Sequence, residues 1–354
     1  MTENKKCVLI ILSVIIIWNP SVLVQANDIE YETLDTNEIP NVLSMLASVT
    51  QANYEKIKTW ECRVTENSMI TIKGKIAAEL LSKHTNAEPN DSIDEIKRFS
   101  VKKIDFKIDM GKNWLYSNSD SNEPYIYLEP DKGKRHLSNR GPEEMIYISK
   151  PEYQMEILTY SKTKGGIILN KLARKERAGK FRITDPREAF SIGEKKLWFT
   201  LSQLSQALQI PDSKKFGVVV KKKSVDDNIT YRIEISMPGE NWPFMVLVMS
   251  SETGFNLTYM ENQYDEASLR SKTTIEFVNL KGVFLPSKWK ISQYSPKGGL
   301  IKEKILTVEH QNINNTISEI TFSERSYLND GDKYRDEITK KKYIYQNEQF
   351  IEVE

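Results

Sequence analysis

Between residues 216 and 322 the sequence is a succession of short segments with strand character, separated from one another by a few turn-forming residues. The predicted strands are Phe216–Lys222, Ile229–Ser236, Phe244–Ser250, Phe255–Glu261, Thr273–Asn279, Val283–Tyr294, Lys304–Glu309 and Thr316–Phe322. Hairpin-length breaks favour antiparallel neighbours, because a parallel connection needs a crossover of about a dozen residues or more. This part of the chain therefore predicts an antiparallel meander, to which the remaining elements must be fitted.

Residues 41–72 predict a helix that is followed directly by a strand. The apolar positions with helical spacing are Val42, Met45, Leu46 and Val49. After Thr59 the apolar period changes from that of a helix to that of a strand. Two interpretations of the helix are open: a surface helix packed on a core, and a lid over an apolar cavity.

Alternating apolar residues continue from Arg98 to about Tyr160, and Thr200–Leu208 predicts a second, short helix. We therefore predict an α+β fold in which one strongly curved antiparallel sheet, or incomplete β-barrel, has helices covering its concave face. Residues 161–199 are predicted to be irregular.

The predicted domain organisation is a signal peptide over residues 1–26 and one domain over residues 27–354. Insertions into this domain are predicted near residues 73–96 and 161–199. The alternative is two half-sheets, which would span residues 27–160 and 200–354.

The first 26 residues are typical of a secretory signal. Lys5 and Lys6 precede the apolar run Cys7–Trp18, and Val24–Ala26 fits the small-x-small cleavage rule. The run is about 12 residues long, shorter than the roughly 20 that a membrane-spanning helix needs. We expect export and a soluble periplasmic or extracellular protein after cleavage; an uncleaved N-terminal anchor is the alternative.

Charge is balanced over the chain, with 50 Lys and Arg residues against 49 Asp and Glu residues. This balance argues against a protein built mainly to bind nucleic acid. A local excess of basic residues lies in Lys162–Arg182, beside several apolar residues. The segment is either a solvated basic face or a short amphipathic helix that contacts an anionic membrane surface.

No catalytic signature is present: the sequence lacks G-x-S-x-G, H-E-x-x-H, the phosphate-binding loop and the dinucleotide fingerprint. The chain has three His and two Cys, of which Cys7 lies in the predicted signal, and no metal-ligand spacing is visible. Cys62 alternates with Trp60 and Val64, which predicts a buried thiol. We expect a protein that is not an enzyme and that carries no cofactor and no metal.

Several motifs resemble those of the periplasmic outer-membrane lipoprotein-carrier (LolA-like) superfamily, in its larger exported bacterial version. They are Tyr54-x-x-Ile57-x-Thr59, Gly254 with Tyr259, Gly282-Val283-x-Leu285-Pro286-x-x-Trp289, and the tail Gly331–Tyr345. The resemblance covers most of residues 40–345. It implies an incomplete β-barrel whose concave apolar face lies under helices and binds, or senses, the acyl chains of lipoproteins. The chain is longer than a carrier and has more aromatic and charged residues than a carrier's apolar groove.

The resemblance implies a non-catalytic exported protein with an apolar cavity for a lipid or an acylated protein. The alternative is an envelope sensor or interaction module that binds another protein. The residues predicted to line the cavity are Trp60, Phe106, Trp114, Tyr127, Phe244 and Leu257. The residues predicted to form the lid helix are Val42, Met45, Leu46 and Val49. The same apolar side chains could instead fill a solid core, and a carrier differs from a sensor in keeping a cavity under the helix.

Overall fold

A computed structural model describes most of the chain. The described residues are 31–73, 95–120, 125–129, 133–137, 144–159, 167–173, 185–193, 195–210 and 216–353. The chain divides into the units Met1–Glu32 and Thr33–Glu354, and nearly all described elements belong to the second. The predicted signal peptide and most of the predicted insertion near residues 73–96 lie outside the described residues.

The described residues contain two α-helices, α1 (Ile39–Glu55) and α2 (Leu197–Leu208). The strands are β1 (Glu32–Thr33), β2 (Thr59–Lys73), β3 (Glu95–Asp109), β4 (Trp114–Asp120), β5 (Tyr125–Glu129), β6 (Gly133–Leu137), β7 (Glu144–Ser149), β8 (Tyr153–Thr159), β9 (Ile167–Ala173), β10 (Ser191–Ile192), β11 (Lys195–Lys196), β12 (Gly217–Val225), β13 (Asn228–Ser236), β14 (Pro243–Ser250), β15 (Asn256–Asp265), β16 (Ser268–Leu280), β17 (Val283–Tyr294), β18 (Leu300–Ile313), β19 (Lys333–Asp336), β20 (Lys341–Gln346) and β21 (Gln349–Val353). Short 3-10 helices span Pro186–Phe190, Ser251–Thr253, Glu319–Phe322 and Glu324–Tyr327.

One sheet contains all of these strands except β10 and β11. Its paired strands follow the order β12-β13-β14-β15-β16-β17-β18-β2-β3-β4-β7-β8-β9-β19-β20-β21, and the β5-β6 hairpin pairs with the outer part of β3. These pairings are antiparallel, with the exception of the parallel pair β9–β19. The sheet is curved and is not closed into a barrel, which confirms the predicted fold class.

We call the face of the sheet that carries Trp60 the inner face. The β2–β3 register pairs Trp60 with Ile108 and Cys62 with Phe106, so these side chains share the inner face. Cys62 is 4% exposed, which confirms the predicted buried thiol, and burial raises its pKa. The inner face therefore holds the main core.

Two hydrophobic clusters cover the inner face. The first contains Trp60, Phe106, Phe190, Ile275, Trp289 and Leu306 among its buried residues. The second joins both helices to β12–β15 and contains Leu43, Leu46, Leu197, Leu201, Ile233, Leu247 and Leu257. Both helices thus lie on the same face of the sheet and on its β12–β15 part.

A third cluster lies on the opposite, outer face of β4, β7 and β8. It contains Tyr116, Ile148, Met155, Ile157, Phe322, Leu328 and Tyr345. Residues 317–328 cover this cluster, and the predicted strand Thr316–Phe322 is wrong. Asn314 adopts a φ of 59°, which ends β18, and the Thr321 N–H donates to Ser318 O at 3.0 Å in a 3-10 turn that buries Phe322.

A second prediction is wrong: residues 167–173 form strand β9, although residues 161–199 were predicted to be irregular. This strand pairs with β8 and with β19. The basic amphipathic helix considered for Lys162–Arg182 is therefore wrong over these residues, and the other residues of that segment, apart from this strand, lie outside the described part of the chain. The run Ile167-Ile168-Leu169 is apolar and partly β-branched, which favours a strand in the middle of a sheet.

Candidate functional site

A cleft of about 810 Å³ opens on the inner face of β15, β16 and β17. Its floor consists of Leu257, Met260, Ser271, Thr273, Ile275, Trp289, Ile291 and Gln293. The strand registers pair Met260 with Thr273 and Thr273 with Ile291, so these three side chains cross the floor side by side. The middle of the floor is mainly apolar, and Ser271 and Gln293 place polar groups at one end.

The wall of the cleft comes from residues 185–193, from Lys196 and from the last turn of α1. Asp185 caps the 3-10 helix Pro186–Phe190, since its Oδ1 accepts a hydrogen bond from the Arg187 N–H at 2.9 Å. Phe190 is 2% exposed and packs against Tyr54 with ring centroids 5.5 Å apart. This buried aromatic contact holds the wall segment to the core.

Arg187 is an anchored cation at the rim of the cleft. Its Nε donates to Asp185 Oδ2 at 2.9 Å and its Nη2 donates to the same oxygen at 2.7 Å. Its Nη1 donates to Asn113 Oδ1 at 3.1 Å. The guanidinium charge is therefore matched by the carboxylate within the protein.

Lys196 is the second cation of the rim, and it differs from Arg187 in its partners. Its Nζ lies 4.6 Å from the centroid of the Tyr54 ring, and it makes no ion pair with the described residues. Burial lowers the pKa of Lys196 to about 8; the positive charge of Arg187 adds to this effect, and Asp185 and Glu188 oppose it.

Tyr54, at the end of α1, is held in place by several contacts. Its ring packs on Trp198 of α2 with centroids 4.7 Å apart, and burial raises its pKa. The preceding residue, Asn53, is 5% exposed and fixes this turn to β17. Its Nδ2 donates to Phe284 O and its Oδ1 accepts from Phe284 N–H, both at 2.9 Å.

The residues predicted to form a lid lie on a packed helix. Leu46 is fully buried, and Val42, Met45 and Val49 are partly buried at the sides of the helix. The buried face of α1 instead consists of Ile39, Leu43, Leu46, Ala47, Thr50 and Asn53. This face rests on α2 and on β12–β15, and the cleft opens beside the C-terminal end of the helix at Tyr54.

Of the residues predicted to line a cavity, Leu257 lies in the floor of the cleft. Trp60 and Phe106 are fully buried in the first inner cluster. Phe244 lies at the side of the second inner cluster, 6.2 Å from Phe216 between ring centroids.

The two remaining residues predicted to line a cavity lie elsewhere. Trp114 lies on the outer face, with its ring centroid 5.3 Å from that of Phe322. The side chain of Tyr127 lies outside the part of the chain that the structure describes.

Sequence reasoning missed the wall of the cleft, although one local signal was present. The order Asp185-Pro186 is typical of a helical N-terminus, with an acidic cap followed by proline in the first turn. It also missed Asn53, a polar residue that continues the apolar stripe of α1 at Leu46 and Thr50. A polar side chain at such a position indicates a specific buried hydrogen bond.

Of the motif residues singled out in the sequence, Tyr54 and Trp289 line the cleft, and the glycines have roles in turns. Gly254 precedes β15 with a φ of 61°, and a Cβ atom there would lie 2.6 Å from Cδ2 of Phe284. Gly282 has a φ of 79° in the turn between β16 and β17. Trp289 belongs to the floor of the cleft, and Leu285 is fully buried beside it in the first inner cluster.

Comparison with known proteins gives no match to a family model and no match to a curated protein. Solved structures do match. A DUF1329 family protein from Desulfovibrio piger is 11% identical, with 81% of this chain and 98% of that chain covered and a TM-score of 0.34. A protein described as an outer membrane lipoprotein-sorting domain from Vibrio parahaemolyticus is 9% identical, with 80% and 98% covered and a TM-score of 0.38. A LolA superfamily protein from Nitrosomonas europaea is 13% identical, with 80% and 99% covered and a TM-score of 0.31.

Proposed function

We propose that this chain is a non-catalytic exported protein that binds the apolar chain of a lipid, or of a lipid-modified protein, in the cleft over β15–β17. One observation carries the proposal: a cleft of about 810 Å³ has a mainly apolar floor and is open for entry. Sites for small ligands typically have volumes of roughly 300 to 1,000 Å³ and combine apolar walls with a few polar groups.

The floor offers an alkyl chain the partly exposed side chains of Met260 and Ile291, on either side of Thr273. Leu257 and Ile275 line the same cleft and are almost fully buried. Burial of a methylene group contributes about 0.8 kcal/mol, so a chain of moderate length can offset the free-energy cost of association. The polar end at Ser271 and Gln293 suits an amphiphile better than a pure hydrocarbon.

Export is part of the proposal and rests on the signal-like residues 1–26. Neither described helix combines the length and the apolar character that a membrane crossing requires. A contact between the basic segment Lys162–Arg182 and an anionic membrane surface is a further proposal, which the observed strand β9 restricts to a non-helical form over residues 167–173.

The second candidate is an envelope sensor that binds another protein, and the packing of α1 favours it. Leu43 and Leu46 are fully buried between this helix and β12–β15. A helix that rests on a filled core is expected in a sensor, whereas a carrier is expected to keep a cavity under the helix. The two candidates therefore differ in whether the cleft beside Tyr54 takes up a ligand.

Native mass spectrometry of the protein purified from its own host, before and after mild organic extraction, tests the proposal. We expect an extractable lipid mass, at one ligand per chain, and uptake of added lipid by the extracted protein. A clean apo mass with no uptake of fatty acid or phospholipid would contradict the carrier function and favour the sensor.

A pair of variants on β16 places the ligand. Ser271 lines the cleft, while the next residue, Lys272, points to the outer face and is exposed. We expect Ser271→Trp to block lipid uptake by filling the cleft and Lys272→Trp to leave uptake unchanged. Equal uptake by both variants, with unaltered thermal unfolding, would show that the lipid lies elsewhere.

A further inference from the structure

We propose that Lys196 is a headgroup site: its ammonium binds the carboxylate, phosphate or sulfonate of an acidic amphiphile whose chain lies on the cleft floor. The inference rests on the proposed function, because it names the chemical class of ligand for the same cleft. It assigns a negative charge to the ligand, which the apolar floor alone does not do.

The two cations of the rim are bound differently within the protein. Arg187 places three hydrogen bonds on the Asp185 carboxylate and one on Asn113, so its charge and its donors are engaged. Lys196 has the face of the Tyr54 ring at 4.6 Å and no carboxylate partner among the described residues. A partly buried ammonium without an anion gains more from a bound anion than an exposed one, because it has already lost part of its hydration.

The neighbouring lysine shows that the position of Lys196 is specific. Lys195 is exposed, its Nζ donates to Gln203 Oε1 at 3.2 Å, and it does not line the cleft. Lys196 is the residue of this pair that lines the cleft, because the two consecutive side chains of the short strand β11 point to opposite sides.

Among the described residues no acidic group forms an ion pair with Lys196, although Asp185 and Glu188 lie close enough to raise its pKa against the effect of burial. Asp185 is paired with Arg187, and Glu188 is exposed to solvent. Tyr54 faces Lys196 with its ring, and its hydroxyl donates to Met110 Sδ at 3.7 Å. A bound acidic headgroup would therefore place a negative charge in direct contact with an ammonium whose described close contact is the Tyr54 ring.

The amphiphile must satisfy both parts of the cleft at once. The headgroup beside Lys196 and the chain on Met260 and Ile291 lie within the same continuous cavity. A small anion would gain the charge contact without apolar burial, and a neutral amphiphile would gain apolar burial without the charge contact. The combination predicts that acidic amphiphiles bind more tightly than either.

Titration calorimetry on the full protein with three probes tests this inference. Decanesulfonate is the acidic amphiphile, 1-decanol is the neutral one, and methanesulfonate is the anion without a chain. We expect Lys196→Met to weaken decanesulfonate binding about tenfold, as for loss of a charged hydrogen bond, and to leave decanol binding unchanged. Lys196→Arg should retain the affinity, and Lys195→Met is the matched control that should not alter it.

The pH dependence adds a readout that a change in packing would not move. The affinity of the wild-type protein for decanesulfonate should fall as pH rises through about 8, where free Lys196 loses its proton. With Lys196→Arg the affinity should stay constant over the same interval, because arginine remains charged.

The outcomes separate the inference from the proposed function. If decanesulfonate and decanol both bind but respond equally to Lys196→Met, the headgroup site is wrong and the apolar cleft stands. If methanesulfonate binds as tightly as decanesulfonate, Lys196 binds free anions and no amphiphile is involved. If neither amphiphile binds the wild-type protein, the proposed function itself fails.

Discussion

Asn53→Ala should cost this protein far more stability than an average change on a helix. β17 pairs with β18 only from Lys288 onward, so the backbone of Phe284 has no described strand on that side. The Asn53 amide takes the place of that strand with two hydrogen bonds of 2.9 Å, one as donor and one as acceptor. Alanine would leave both backbone groups of Phe284 without this partner.

The expected loss follows from these contacts. Two hydrogen bonds, together with a partly buried N–H and C=O left unpaired, cost about 3 kcal/mol. Alanine has a higher helix propensity than asparagine, which offsets roughly 0.6 kcal/mol of this loss in the free energy of unfolding. We therefore expect Asn53→Ala to lower the free energy of unfolding by about 2.5 kcal/mol.

Urea unfolding followed by tryptophan fluorescence measures this loss through the shift in midpoint at constant slope. Gln51→Ala is the matched control on the same helix, since Gln51 is exposed and its Nε2 donates only to Glu55 at 2.7 Å. The control should cost about 0.3 kcal/mol. If Asn53→Ala costs no more than Gln51→Ala, the amide does not support the helix–strand junction as described.

Lengthening an alkyl sulfonate by one methylene should tighten binding about fourfold until the chain exceeds the cleft; a calorimetric series with no length dependence would contradict burial of the chain. Gly254→Ala should destabilise by about 2 kcal/mol or more in urea unfolding, because its Cβ would lie 2.6 Å from Phe284, whereas Gly298→Ala meets no atom within 4 Å and should cost only the backbone strain of its positive φ. The Cys62 thiol should resist a thiol reagent at mildly alkaline pH until the protein unfolds, since burial raises its pKa, and immediate reaction would contradict its buried position. Burial also raises the pKa of Glu156, so the native state loses stability as pH rises through that pKa. Glu156→Gln should therefore be more stable than wild type at neutral pH and equally stable in acid. A gain in stability that is the same at both pH values would refute this assignment.

Local signals determined which elements the sequence could predict. The strand Val283–Tyr294 has the same bounds in the prediction and in the structure, because Gly282 supplies the positive φ of the preceding turn and Ser295 begins the next turn. The first helix was predicted between residue 41 and Thr59, and α1 spans Ile39–Glu55; its regular apolar stripe made it recognisable.

Elements whose conformation depends on distant residues were not predicted. Residues 316–322 have the composition of a strand, yet they cover an outer cluster in which Phe322 contacts Trp114. No pattern in the neighbouring sequence predicts that cluster. Such tertiary contacts override local propensity. At β9 the local composition favours a strand, but the partner strand β19 lies far along the chain.

A cavity was predicted under the first helix, whereas the described cleft opens beside the C-terminal end of that helix. The residues predicted to line a cavity include large aromatic residues such as Trp60 and Phe106. These two are buried in the core instead, as large apolar side chains commonly are. The cleft instead lies where the wall segment leaves medium-sized residues such as Met260 and Ile291 partly uncovered. The path of that segment across the sheet is set by the burial of Phe190, which no periodicity in the sequence reveals.

The parallel pair β9–β19 has a consequence for the order in which this protein can be made. One edge of β9 pairs with β8, which is near in sequence, and its other edge pairs, among the described residues, with Lys333–Asp336. During synthesis that edge stays unpaired until more than half of the remaining chain has followed, and an unpaired edge is a template for association with other chains. Termination of synthesis before Lys333, or proteolysis there, would release a product in which this edge of β9 is unpaired. Such a product is expected to associate with other copies of the chain through that edge.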